Sequence, residues 1–71
     1  MRVREDQKAD AITITLTDRA VDGSEEATEG MIVDYDAEGR IVGLEILDAS
    51  KRSADPGALQ SFSFEVPTVA A

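Results

Sequence analysis

Residues 11–18 read Ala-Ile-Thr-Ile-Thr-Leu-Thr-Asp, and this stretch decides the class of fold. Ile12, Ile14 and Leu16 alternate with three threonines, so an extended strand would separate apolar and polar side chains onto opposite faces. A helix would mix the two sets around its axis, and β-branched residues are less favourable in helices. The stretch therefore predicts a β-strand with one buried face.

Two β-rich segments, residues 31–36 and 40–48, flank a three-residue junction and predict a hairpin whose register has two solutions. A three-residue loop with Gly39 in the left-handed conformation suits the turn chemistry but places Asp34 and Asp36 on the apolar face. An even-numbered loop collects one apolar face, and we favour it because burial decides register. It pairs Tyr35 with Val42, Val33 with Leu44, and Met31 with Ile46.

Weaker signals lie in the N-terminal half of the chain. Residues 1–5 are short and predict an edge strand around Val3. The acidic segment 19–30 is predicted to be a connection, with room for a short irregular strand at 24–27. We see no internal repeat.

The C-terminal part predicts one helical turn and one strand. Asp55-Pro56 has the form of a helix start, because Asp caps helices and Pro fits the first helical position. Residues 60–67 alternate again and predict a last strand, while residues 68–71 are expected to fray. The sequence thus predicts one small domain, residues 1–71, of mainly β (β-rich α+β) class. Its core is a small antiparallel meander sheet of four to five strands, with at most one short helix.

The predicted sheet has one apolar side and one mostly polar side. The apolar side is supplied by Val3, Ile12, Ile14, Leu16, Val33, Tyr35, Val42, Leu44, Phe62 and Phe64. The other side still carries Ile32, Ile41 and Leu47. One short helix covers little of such a sheet, and an open sheet has two free edges. We therefore predict a homodimer, with a candidate interaction surface drawn from Ile32, Ile41, Leu47, Phe62 and Phe64.

Composition narrows the functional classes. The 71 residues include 7 Lys and Arg, 15 Asp and Glu, and no His, Cys or Trp, for a formal net charge of −8. Without His and Cys there is no zinc finger, no cysteine or histidine nucleophile system and no disulfide. The acidic balance argues against nucleic-acid binding, because phosphate requires clusters of Lys and Arg. The simplest interpretation of this net charge is that it keeps the protein soluble, and the more specific one is that it attracts a basic protein partner.

The N-terminal sequence Met-Arg-Val-Arg-Glu-Asp-Gln-Lys-Ala-Asp lacks the apolar segment of a signal peptide. No apolar run approaches the roughly 18–20 residues that a membrane span requires. We therefore expect a cytoplasmic protein without a membrane partner.

Asp34, Asp36 and Glu38 make the sharpest local pattern. Together with Gly39 and Glu45 they match the spacing of acids, glycine and final glutamate in a calcium-binding EF-hand loop. That loop requires a helix on each side, whereas these flanks are β-rich, so the sequence favours a solvated acidic hairpin tip. A metal or small-ligand site at these three carboxylates is the alternative. Nothing indicates a pocket around them, and we predict no catalytic residue, no enzymatic activity and no cofactor.

Residues 30–50, Gly-Met-Ile-Val-Asp-Tyr-Asp-Ala-Glu-Gly-Arg-Ile-Val-Gly-Leu-Glu-Ile-Leu-Asp-Ala-Ser, resemble a family of small bacterial proteins, the domain of unknown function 2283 family. The matching positions are Gly30, Asp36, Gly39, Gly43, Glu45, Leu47, Ala49 and Ser50, with Tyr35 and the acid before it. Upstream, Asp6, Ala9, Asp10 and Ala11 fit as well. The chain departs from the pattern at Glu5, usually Tyr, and at Gln7, often Pro.

This resemblance covers about residues 3–52 and implies a small β-rich domain without catalytic residues to carry over. Some members of the family lie near small toxin-like proteins, which suggests an antitoxin-like role. The sequence therefore favours a small acidic, non-enzymatic protein-interaction or regulatory module that acts as a homodimer.

Overall fold

The structure, a computed structural model that describes residues 1–67, is one antiparallel sheet followed by two short helical segments. The strands are β1 (Arg2–Asp6), β2 (Ala11–Thr15), β3 (Gly23–Thr28), β4 (Met31–Tyr35) and β5 (Ile41–Leu47). The helical segments are α1 (Ala49–Arg52) and a 3₁₀ helix (Pro56–Gln60). The predicted β-rich antiparallel fold is confirmed, and the expected fraying of residues 68–71 lies outside the described residues.

The strand order across the sheet is β1-β2-β5-β4-β3. β3, β4 and β5 follow one another as neighbours, as a meander does, and β1 and β2 form a separate hairpin. The two units join where Ile12 of β2 pairs with Ile46 of β5 and Ile14 pairs with Leu44. The alternating segment that predicted β2 thus meets its apolar counterpart across strands that are far apart in sequence.

The β4–β5 hairpin combines both predicted registers. At its tip, the amide of Asp36 donates to the carbonyl of Arg40 over 2.9 Å, and Gly39 has a positive φ of 79°. Farther along, Val33 lies opposite Leu44, as the even register predicts. A β-bulge between these two regions shifts the pairing register by one residue, because Val42 of β5 has no residue opposite it on β4. Of the pairs predicted for the even register, Tyr35 with Val42 is therefore wrong, because Tyr35 pairs with Ile41.

The short helix α1 is fixed to the turn between β1 and β2. Asp10, in the left-handed region with a φ of 53°, accepts hydrogen bonds from the amide (3.0 Å) and hydroxyl (2.7 Å) of Ser50. Its carbonyl accepts from the amide of Ala49 over 2.9 Å. The two hydrogen bonds from Ser50 lower the pKa of Asp10, and the one from the Ser50 hydroxyl contributes most. The turn of the first hairpin therefore positions the chain as it leaves the sheet.

The predicted last strand at residues 60–67 is wrong. The helix start at Asp55-Pro56 is confirmed, with the Asp55 carboxylate accepting from the amide of Gly57 over 3.1 Å, but this helix extends through Gln60. Residues 61–67 belong to no helix or strand and are exposed. Alternation alone cannot supply the hydrogen-bonding partner that a strand requires. No helix in residues 1–67 has the length and apolar character needed to cross a membrane.

The molecule is a thin plate with a small core. Its dimensions are 36 × 35 × 20 Å, and its radius of gyration is 13.8 Å, against about 11 Å for a compact domain of this length. Within residues 1–67, the buried apolar residues are Val33, Val42 and Ala49, and no large side chain is completely buried. The sheet therefore has a partial second layer, in which Leu59 and Phe62 lie over Val3 and its neighbours.

Candidate functional site

The tip of the β4–β5 hairpin, residues 34–40, carries the carboxylates that the sequence singled out. Asp36 is buried at its centre. One of its carboxylate oxygens, Oδ1, accepts hydrogen bonds from the amides of Glu38 and Arg40, each 2.9 Å long. This arrangement closes the turn from inside, because a buried acceptor must find donors and these amides have no strand partner.

Two arginines surround the same carboxylates. The other oxygen of Asp36, Oδ2, lies 3.1 Å from Nε of Arg19 and 3.6 Å from Nε of Arg40. Both arginines also reach Oε2 of Glu38, Arg19 over 2.9 Å. The amide of Arg40 is the main cause that lowers the pKa of Asp36, and the two guanidinium groups add to it. The tip is therefore a charge-balanced cluster of two acids and two bases, not the solvated acidic tip that the sequence favoured.

Asp34 belongs to a different group on the neighbouring strands. Its carboxylate accepts a 2.6 Å hydrogen bond from the hydroxyl of Ser24, which lies opposite it on β3. On the other side it meets Glu45 of β5, whose pKa is raised by burial and then by the charge and hydrogen bond of Asp34. Glu45 therefore lies where burial and the neighbouring carboxylate both disfavour its charged form.

The three carboxylates of the alternative metal or small-ligand site, Asp34, Asp36 and Glu38, do not come together in the structure. Asp36 and Glu38 turn toward the arginines, whereas Asp34 turns toward Ser24 and Glu45. Across residues 1–67, no three acidic side chains come close enough together to hold a metal ion. The EF-hand-like spacing therefore arises from a strand, a capped turn and a second strand.

The residues predicted as an interaction surface do not form one patch. Ile32 is half-buried and points, with Leu47, to the face that also carries Glu45. Ile41 is half-exposed at the opposite end of β5. Phe62 lies near Val3 on the other face, and Phe64 follows it in the exposed C-terminal segment. Phe62 and Phe64 are the most exposed of the five, at 61% and 67%.

Several polar residues that organise the structure were not recognised as contact partners in the sequence, although Asp10 and Ser50 match the family pattern. Arg19 precedes Asp36 by 17 residues, and no spacing rule connects the two. Arg40 could have been found, because a base directly after an acidic turn forms short-range pairs. Ser50 and Asp10 are 40 residues apart, and only the pairing of β2 with β5 brings them together.

Comparison with known proteins gives one match. Residues 3–50 match the profile of the family described as "Protein of unknown function (DUF2283)". No curated protein and no solved structure gives a significant match. The match spans about two thirds of the chain. It includes all five strands, apart from Arg2 at the start of β1. The protein therefore belongs to the DUF2283 family of proteins of unknown function.

Proposed function

We propose that this protein is a non-enzymatic protein-interaction module that acts as a homodimer. The observation that carries the proposal is the thin, incompletely covered sheet. A stable domain packs two layers of secondary structure around one core. Here the second layer is two short helical segments, and large apolar side chains remain at the surface. A second copy would supply the missing cover.

The size of the chain supports the same proposal. A domain of about 70 residues rarely gains more than about 3–5 kcal/mol from its own core, and small domains commonly add a disulfide, a metal or a partner subunit. The chain has no cysteine. Association is then the route to additional stability that fits these apolar residues.

The more specific form of the proposal is an antitoxin-like regulator that binds a basic protein. Its support is the net charge of −8 and the position of the acids. Edge strand β3 presents Glu25 and Glu26, both exposed, with a bulge between Glu26 and Thr28. Acids along an edge disfavour pairing with another edge of like charge and attract a basic surface.

The dimer is tested by the concentration dependence of thermal unfolding. When folded dimers dissociate and unfold together, the melting temperature rises with protein concentration. We expect a rise of several degrees between about 1 µM and about 1 mM chain, followed by circular dichroism. A melting temperature that stays constant over this range would contradict the homodimer.

The basic partner is tested by affinity capture, followed by reconstitution of any captured protein with the purified chain. We expect a basic protein whose affinity falls steeply with added salt. The variant Glu25→Gln/Glu26→Gln should weaken this binding, whereas Asp18→Asn, at an exposed acid outside β3, serves as a matched control. Binding that is unchanged by neutralising the β3 glutamates would count against the acidic edge as the contact.

A further inference from the structure

The exposed segment 61–67, here called the C-terminal arm, has the composition of a strand but no strand partner. Phe62, Phe64 and Val66 alternate with Ser61, Ser63 and Glu65. Ser61 is already extended, with φ −128° and ψ 128°. The three apolar side chains are 61–76% exposed, which makes the arm the most concentrated apolar surface of the described chain.

We infer that the arm of one copy pairs with the edge of β1 in a second copy, and that two such exchanges form the dimer. The inference rests on the proposed homodimer and names its interface. Seven extended residues span about 23 Å, which is sufficient to line the five residues of β1. Adding a strand to an exposed edge is a common form of protein recognition.

The faces of the arm and of β1 match. The register with β2 places Val3 on the apolar face of the sheet, opposite Ile14, with Glu5 at the end of the same face. Arg2 and Arg4 lie on the other face, followed by Asp6 at the end of the strand. An arm beside β1 can continue both faces at once, since side chains alternate along each strand. In the exchanged arm Phe62 leaves its position over Val3 of its own chain. Together with Phe64 and Val66 it extends the apolar face of the partner's sheet, while Glu65 lies on the face of the two arginines.

The charges of the two edge strands favour β1 over β3 as the partner of the arm. Within residues 1–67 neither Arg2 nor Arg4 takes part in an ion pair, so both are available to Glu65. β3 instead carries Glu25 and Glu26 and is interrupted by a bulge. Whichever face Glu65 took there, it would share that face with one of these acids, which disfavours pairing there.

The area of the arms is consistent with a stable dimer. Two aromatic rings and a valine expose roughly 300 Å² of apolar surface in each arm. With the surface that they cover on the partner, two arms bury on the order of 1,200 Å², the lower limit of a standard interface. A reciprocal exchange closes on itself, so association ends at two copies.

The apolar contribution is tested in the full chain with Phe64→Ser/Val66→Ser. Both side chains are exposed, so we expect circular dichroism at low concentration to be unchanged. The dimer dissociation constant should rise about 100-fold or more. Ser63→Ala, on the polar side of the arm, is the matched control and should stay within about threefold of the parent.

The exchange between copies is tested by charge reversal. Glu65→Lys alone, or Arg2→Glu/Arg4→Glu alone, should weaken the homodimer about tenfold, because each puts like charges beside each other at both contacts. Mixing the two variants should restore an affinity within about threefold of the parent, since both contacts of a mixed dimer again join opposite charges. Arms that fold back on their own β1 would gain nothing from mixing.

The outcomes separate this inference from the proposed function. A Phe64→Ser/Val66→Ser variant that dimerises as tightly as the parent would overturn the arm as interface, while the homodimer itself would stand. Two weakened charge variants that do not recover on mixing would overturn the exchange between copies. A parent chain that is monomeric at about 1 mM would overturn both proposals.

Discussion

A single buried carboxylate, that of Asp36, holds the hairpin tip together. It accepts two amide hydrogen bonds and faces two guanidinium groups. These contacts give Asp36 a structural role that fits its position in the family motif. The same is true of Ser50, whose hydroxyl binds Asp10.

We predict that Asp36→Ala lowers the melting temperature by about 5–10 °C, because it leaves two amides without an acceptor. Asp36→Asn should lower it less, since the side-chain carbonyl can still accept one or both hydrogen bonds. Glu38→Gln is the matched control at an exposed position and should change it by no more than about 3 °C. Equal effects of Asp36→Ala and Glu38→Gln would contradict the capping role.

Glu45 is the motif residue that stability does not explain. Burial and the neighbouring Asp34 raise its pKa above the ordinary value of 4.5. The unfolded chain therefore loses this proton at lower pH than the folded chain does. Stability falls as pH rises from the unfolded pKa to the folded one, and the loss is complete above the folded pKa.

We predict that Glu45→Gln raises the melting temperature at pH 7, because glutamine carries no charge and can donate a hydrogen bond to Asp34. The difference from the parent should shrink as the pH falls below the ordinary value of 4.5, where Glu45 becomes protonated in both states. Glu25→Gln, an exposed edge position, is the control. A Glu45→Gln variant that is less stable than the parent at pH 7 would contradict the unfavourable charge of Glu45 beside Asp34.

At the scale of single elements, the sequence predicted strands better than it predicted their ends. Alternation found β2 because its isoleucines have apolar partners on β5. The same alternation at residues 60–67 predicted a strand that the isolated chain does not form. Asp55 caps a 3₁₀ helix that extends to Gln60. Residues 61–67 pair with neither edge strand of the sheet.

The hairpin register shows why two sound arguments could disagree. Turn chemistry required Gly39 in the left-handed conformation, and burial required Val33 opposite Leu44. Both hold, because one extra residue in β5 separates the turn from the rest of the ladder. The bulge forms because the turn and the buried face require different registers. Neither the turn pattern nor the apolar pattern alone could therefore predict it.

Gly43 offers a test of how closely β2 and β5 approach. A Cβ at this position would lie 2.8 Å from the carbonyl oxygen of Ile14, which is backbone and cannot move aside freely. We predict that Gly43→Ala lowers the free energy of unfolding by about 1–3 kcal/mol, measured by urea denaturation. Gly23→Ala, where a Cβ meets no atom within 4 Å, is the matched control. It should be neutral or stabilise by up to about 1 kcal/mol.

At the scale of the whole molecule, composition and alternation predicted a small β-rich fold with an uncovered apolar side. They could not predict the strand order, because the pairing of β2 with β5 closes a long loop that no local signal marks. The candidate carboxylate site failed for a related reason. Arg19 and Ser24 reach the hairpin from another part of the chain and divide its acids into two groups.

The flat shape of the molecule supports the proposed association of two copies. A plate 20 Å thick with few buried apolar residues among those described gains stability when a second plate or strand covers it. An acidic surface around the contact would keep such dimers from associating further.

Sedimentation equilibrium of the purified full chain, from about 1 µM to about 1 mM, tests this claim most directly. We predict a mass that rises from the chain mass of 7.6 kDa toward twice that value and then remains constant. A mass of 7.6 kDa at every concentration would contradict it.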